Sequence, residues 1–106
     1  MINCMCVVQE GQGPDRCKSE ILGLLNSFTN SSFGQQAQVT WVPVAAGSGF
    51  TAGNPSTSSV VAMTADSPLD SDRRENLLRE FVDQWTKQTG CSIDEIVAVI
   101  SDPIAS

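Results

Sequence analysis

SSVVAMTADSPLDSDRRENLLREFVDQWTKQTGCSIDEIVAVIS, residues 58–101, is the stretch whose reading decides the fold. It opens on a continuous apolar run, read as a strand over 59–65, that Pro68 brings to a stop. Asp70, Ser71 or Asp72 can then cap a helix, and Glu75, three residues after Asp72, completes a capping-box spacing. Leu77, Leu78, Phe81, Val82 and Trp85 recur at helical period and make the buried stripe of a helix over 71–89, which Gly90 ends as its C′ residue. Ser92 and Glu95 repeat the S-x-x-E signature as a single turn before a last strand over 95–101. The stretch therefore reads as one β-α-β unit.

The same order of elements occurs about 57 residues earlier. INCMCVVQ, residues 2–9, is nearly all apolar, which predicts a central strand buried on both faces. Gly11 and Gly13 break it, Pro14 suits the first helical position, and Cys17, Ile21, Leu24, Leu25 and Phe28 form one stripe of a helix over 14–28. Asn30, Ser31, Ser32 and Gly34 end that helix. In AQVTWVPV, residues 37–44, Val39 and Trp41 share one face and Gln38, Thr40 and Val42 the other, while Pro43 lacks a ladder donor and points to an edge or a bulge. Two β-α-β repeats of this kind imply an α/β (α+β) domain over residues 1–106, with halves at about 1–45 and 58–106 around a pseudo-twofold axis. The linker 45–58 reads as a loop or an extended arm, because Gly47, Gly49 and Gly53 make helix costly there. It carries one large apolar residue, Phe50.

Composition narrows the classes of partner. With 106 residues and 41% apolar content the chain can bury a real but small core, and its strands look more apolar than two helices could cover, which calls for oligomerisation. The net charge of −6, with only six Lys and Arg, leaves no basic stripe for phosphates and argues against nucleic acid. No run approaches the roughly 20 apolar residues of a membrane span, and no charged and apolar leader opens the chain, so the expectation is a cytoplasmic protein without a membrane partner.

The chain has no His, which removes serine-histidine and cysteine-histidine catalysis and the commonest metal ligand. No P-loop or dinucleotide fingerprint occurs, and no cofactor is expected. Cys4 and Cys6 alternate on one strand and would share a face, where a soft metal or oxidation is conceivable, but with no metal expected they read first as buried thiols. The acidic residues along 66–83 are interspersed with Arg73, Arg74 and Arg79, as on a solvated helix face, although Arg73 or Arg74 near the helix start could serve an anion.

AQVTWVPVAAGSGFTAG, residues 37–53, resembles the second strand and following loop of the tautomerase superfamily. Residues 58–102, with their G-x-S-x-[DE]-[DE]-[IV] turn at Gly90 to Ile96, resemble its second β-α-β half. The branch in view contains cis-chloroacrylic acid dehalogenase and malonate semialdehyde decarboxylase. The resemblance implies a tautomerase-like fold, four main strands with two helices on one face, assembled as a homotrimer with active sites at the amino termini of the first strands. It also implies an amino-terminal proline, exposed by Met removal, whose amine in an apolar pocket acts as general base or acid. Here the matching residue is Ile2, which is too large for Met to be trimmed before it, so the amine would belong to Met1. Where the branch has a substrate-orienting histidine the first helix has Asn26. Its pair of carboxylate-binding arginines falls at Asp66 or Ser67 and Leu69, and an Asp there would repel a carboxylate. The chain stops at Ser106, without the carboxy-terminal segment that carries further groups in the dehalogenases.

The expected function is therefore that of a tautomerase-superfamily homologue without the catalytic proline, with absent, weak or altered activity built on Met1, Ile2 and Asn26, and with Asp66, Ser67, Leu69 and Arg73 lining the site. A non-catalytic trimer that binds a small molecule or is structural, a ferredoxin-like regulatory domain, and a thiol module on Cys4 and Cys6 are the alternatives.

Overall fold

Alternation along the first strand sets the architecture. In β1 (Ile2–Gln9) the side chains of Ile2, Cys4, Cys6 and Val8 are buried while Asn3 and Met5 are exposed, so one pleat face meets the core and the other lies open. The expectation of a strand covered on both faces is thus corrected for the single chain: two helices cover one face only. The computed structural model describes residues 1–51 and 53–103. After β1 come α1 (Gly13–Arg16), α2 (Lys18–Phe33), β2 (Ala37–Val44), β3 (Phe50–Thr51), β4 (Asn54–Pro55), β5 (Ser59–Thr64), α3 (Ser71–Thr89), a 3-10 turn (Ile93–Glu95) and β6 (Ile96–Ser101).

The main sheet has the order β2-β1-β5-β6. Each half pairs its own strands in parallel, Ile2 opposite Ala37 in one and Ser59 opposite Ile96 in the other. The halves meet antiparallel at the centre, where Cys4 faces Met63 and Cys6 faces Val61. A ferredoxin-like sheet splits its β-α-β units by inserting a strand, and here none is split. Placing β1 centrally and Pro43 on an edge strand agrees with the sequence reading.

Both long helices lie on the covered face. Ile21, Leu25 and Phe28 from α2 and Leu77, Phe81 and Trp85 from α3 join Ile2, Cys4, Cys6, Val61, Met63 and Ile100 from the sheet in one core. An aromatic chain ties the helices together: the rings of Phe28 and Phe81 sit edge to face at 5.2 Å, and those of Phe81 and Trp85 are tilted at 6.0 Å.

The first helix differs most from expectation. It breaks at Cys17 (φ −124°, ψ 40°) into α1 and α2, and α2 runs on to Phe33 instead of stopping near Phe28. Thr29 Oγ1 and Asn30 Nδ2 both donate to the Asn26 carbonyl, so side chains that compete with helix elsewhere here bond back onto it. The end comes at Gly34, whose left-handed backbone (φ 68°) suits glycine. α3 spans the expected residues, and among its candidate caps Asp70 takes the part, accepting from the Arg73 amide at 2.7 Å. The Ser92–Glu95 capping box forms as read. The linker is more ordered than a plain loop, since β3 and β4 make a small hairpin with Phe50 65% exposed at its start.

The aromatic chain predicts its own cost. Phe81→Ala should lower stability by about 3–5 kcal/mol, because a fully buried ring is lost and the site cannot collapse between two helices. The midpoint and slope of urea unfolding measure it.

Candidate functional site

The antiparallel register that pairs Cys4 with Met63, carried three residues further, brings the amino terminus beside Asp66. One side chain bridges them. The Met1 amine donates to Gln35 Oε1 at 2.7 Å, and Gln35 Nε2 donates to Asp66 Oδ2 at 2.6 Å. Ammonium and carboxylate are thus linked through a neutral amide oriented by both. Gln35 stands there because α2 ends at Gly34, whose N–H returns to the Asn30 carbonyl, and the chain turns at once into β2. The Ile2 N–H donates to the Gln36 carbonyl at 2.9 Å, which fixes the strand below the amine. Asp66 follows directly on Ala65, whose N–H extends the β5–β6 pairing to the Ser101 carbonyl at 2.8 Å.

Of the residues singled out from sequence, Met1 and Asp66 are linked through Gln35, and the others, Ser67 apart, serve the core or the scaffold. Ile2 is fully buried in the core. Asn26 is half-buried and occupied at both ends, its Oδ1 accepting from the Ala37 N–H at 3.0 Å and its Nδ2 donating to the Leu22 carbonyl at 3.2 Å. Its work is to tie α2 to the start of β2. Ser67 is exposed, and Leu69 packs partly against the core with its N–H on Asp102 Oδ1 at 3.0 Å. Arg73 reaches back to the Ser32 carbonyl at 3.0 Å. Arg74 bonds the Leu69 carbonyl at 3.1 Å and pairs with Asp102. The Leu69 N–H, then Arg74, hold the Asp102 carboxyl below its usual range. Both arginines therefore anchor the segment between β5 and α3. Gln35 is the residue sequence reasoning missed, because ending the first helix near Phe28 leaves no way to place it.

From the amine the open sheet face carries a shallow depression of about 320 Å³, lined by Asn3, Met5, Gln38, Thr40, Ala62 and Thr64. Beyond it Val97 and Val99 on β6 are 50% and 40% exposed, so the face alternates polar and apolar patches that no element among the described residues covers. Among the described residues, no group of three or more His, Cys, Asp or Glu side chains could hold a metal ion, and no helix is long and apolar enough to cross a membrane.

Cys4 and Cys6 point away from this face into the core. Burial pushes the Cys4 thiol up to about 11, and burial with the neighbouring Cys4 pushes Cys6 up to about 12. Thiolate is the reactive form and needs access, so titration of the native protein with a thiol reagent at neutral pH should reach the half-buried Cys17 and Cys91 and leave Cys4 and Cys6 until denaturant is added.

No family model matches the sequence, and no curated protein matches it. Solved structures do match in fold. Native Ps01740 superposes with a TM-score of 0.83 at 21% identity, over 97% of this chain and 95% of that one. N1, a member of the cis-3-chloroacrylic acid dehalogenase family, gives 0.82 at 12% identity over 95% of this chain and 74% of its own. A symmetric trimer of fused 4-OT gives 0.80 at 15% identity over 95% of this chain and 85% of its own. The structures matched include tautomerase-superfamily proteins of the 4-OT and cis-3-chloroacrylic acid dehalogenase kinds, and the chain has their fold.

Proposed function

We propose that the protein is a single-domain tautomerase-superfamily homologue that assembles as a homotrimer and has lost the proline chemistry, with proton-transfer activity that is absent, weak or altered. One observation carries this reading: in a tautomerase fold, the amine at the start of β1 is a Met1 primary amine that donates to Gln35, itself held by Asp66, with Ile2 buried beneath it. A secondary amine in an apolar pocket is poised to move protons between carbon and oxygen. An exposed primary amine, bound to an amide and next to a carboxylate, is poorly placed for that work. Asp66, linked to the amine through Gln35, stands where a substrate carboxylate would need a cation, and Arg73 and Arg74 are engaged elsewhere.

The open sheet face supports the trimer, since partly exposed Met5, Val97 and Val99 would be covered by neighbouring sheets. The second reading is a non-catalytic trimer that binds a small molecule or is structural. It is favoured by Asn26, whose amide is engaged at both ends, Oδ1 on the start of β2 and Nδ2 within α2.

Light scattering at micromolar concentration should report about three chains. With phenylenolpyruvate as an acidic enol substrate the wild type should turn over barely above background. In Ile2→Pro, once intact mass shows that Met is removed, the new amine keeps a donor for the Gln36 carbonyl, and activity should rise by about 10²-fold. High wild-type activity would overturn the loss of function. A trimer inactive in both forms would favour the non-catalytic reading.

A further inference from the structure

The two cysteines left out of the core, Cys17 and Cys91, come from opposite halves of the chain and meet at Gly13. Cys17 forms the elbow between α1 and α2, and its Sγ donates to the Gly13 carbonyl at 3.2 Å. A Cβ added to Gly13 would lie 3.7 Å from Cys91 Sγ and 3.5 Å from the Thr89 carbonyl, ordinary contact distances, so the elbow segment packs directly against Cys91 and the end of α3. Cys91 is held in turn: Gly90 before it is left-handed (φ 74°), its own N–H donates to Thr89 Oγ1 at 3.2 Å, and the Ser92–Glu95 capping box follows. Both thiols are half-buried, unlike the enclosed Cys4 and Cys6.

We propose that Cys17 and Cys91 are a redox latch, a dithiol that closes to a disulfide and so staples the first β-α-β half to the second. The oxidant is a small disulfide of the glutathione type. Cys91 thiolate attacks one of its sulfurs, forming a mixed disulfide and releasing one glutathione thiolate. Cys17 thiolate then attacks the Cys91 sulfur and releases the second. Two protein thiols lose two electrons and two protons, and the oxidant leaves as two thiols. Cys17 is the resolving partner because its proton is held by the Gly13 carbonyl, and because burial first, then Glu20 and Cys91, raise its thiol above the ordinary value. The influence of Cys91 on Cys17 also places the two sulfurs within electrostatic reach of each other.

The full chain is equilibrated with oxidised glutathione, quenched with acid and mapped by peptide mass. The expected product is an internal Cys17–Cys91 disulfide with Cys4 and Cys6 still reduced. Because it closes a loop of about 75 residues, melting should rise by about 20 °C and fall back on adding reductant. Cys17→Ser should stop at a stable glutathione adduct on Cys91 and show no such rise. Stable adducts on both cysteines of the wild type, a disulfide between chains, or a Cys4–Cys6 bridge in place of Cys17–Cys91 would each overturn the proposal. The wild-type map alone decides it should a variant fail to fold.

Discussion

The antiparallel pairing of β1 with β5 is the contact on which the rest depends. A lone β-α-β unit has two parallel strands and one helix, too little to bury its own apolar residues. Joined antiparallel at the centre, two right-handed crossovers must place both helices on the same side of the sheet. The Phe28, Phe81 and Trp85 rings can then meet over Cys4, Cys6, Val61 and Met63. The same pairing leaves the opposite face bare and puts the start of the chain next to the end of β5. Core, open face and amine position are three results of one register.

That register also explains the electrostatics around the amine. The strand order sends β5 into the loop that carries Asp66 and Leu69, and this loop is pinned from two sides, by Arg73 on Ser32 of α2 and by Arg74 with Asp102 beyond β6. Cations that could have received an anion hold the backbone in place. The local charge that remains is a carboxylate, linked to the amine by Gln35.

Much of the fold was legible because its signals are local and strong. Apolar runs bounded by Gly and Pro marked β1, β2 and β5, and a five-residue apolar stripe with Asp before it and Gly after it marked α3. The break at Cys17 was not legible, since Pro14 to Phe28 keeps helical spacing across it. Nor was the extension to Phe33, which depends on Thr29 and Asn30 bonding the Asn26 carbonyl in place of solvent. Of the site, the amine and Asp66 could be named by resemblance. The bridging Gln35 could not, because nothing in its neighbours distinguishes it from a surface glutamine until helix end and strand start are both known. Asn26 shows the reverse case: the resemblance placed it in the site, and hydrogen bonding gives it to the scaffold.

Gln35 lies immediately after the glycine that ends α2, so the helix works as a ruler between the elbow at Cys17 and the amine. Each residue added to or removed from a helix turns everything beyond it by roughly 100° and shifts it about 1.5 Å along the axis. A single insertion anywhere between Lys18 and Phe33 would swing the amide away from both Met1 and Asp66, and would turn part of the Ile21, Leu25 and Phe28 stripe off the sheet as well. Length variation among relatives that keep this bridge should therefore be absent from α2 and collect around the β3–β4 hairpin, where extra residues move nothing that touches the amine.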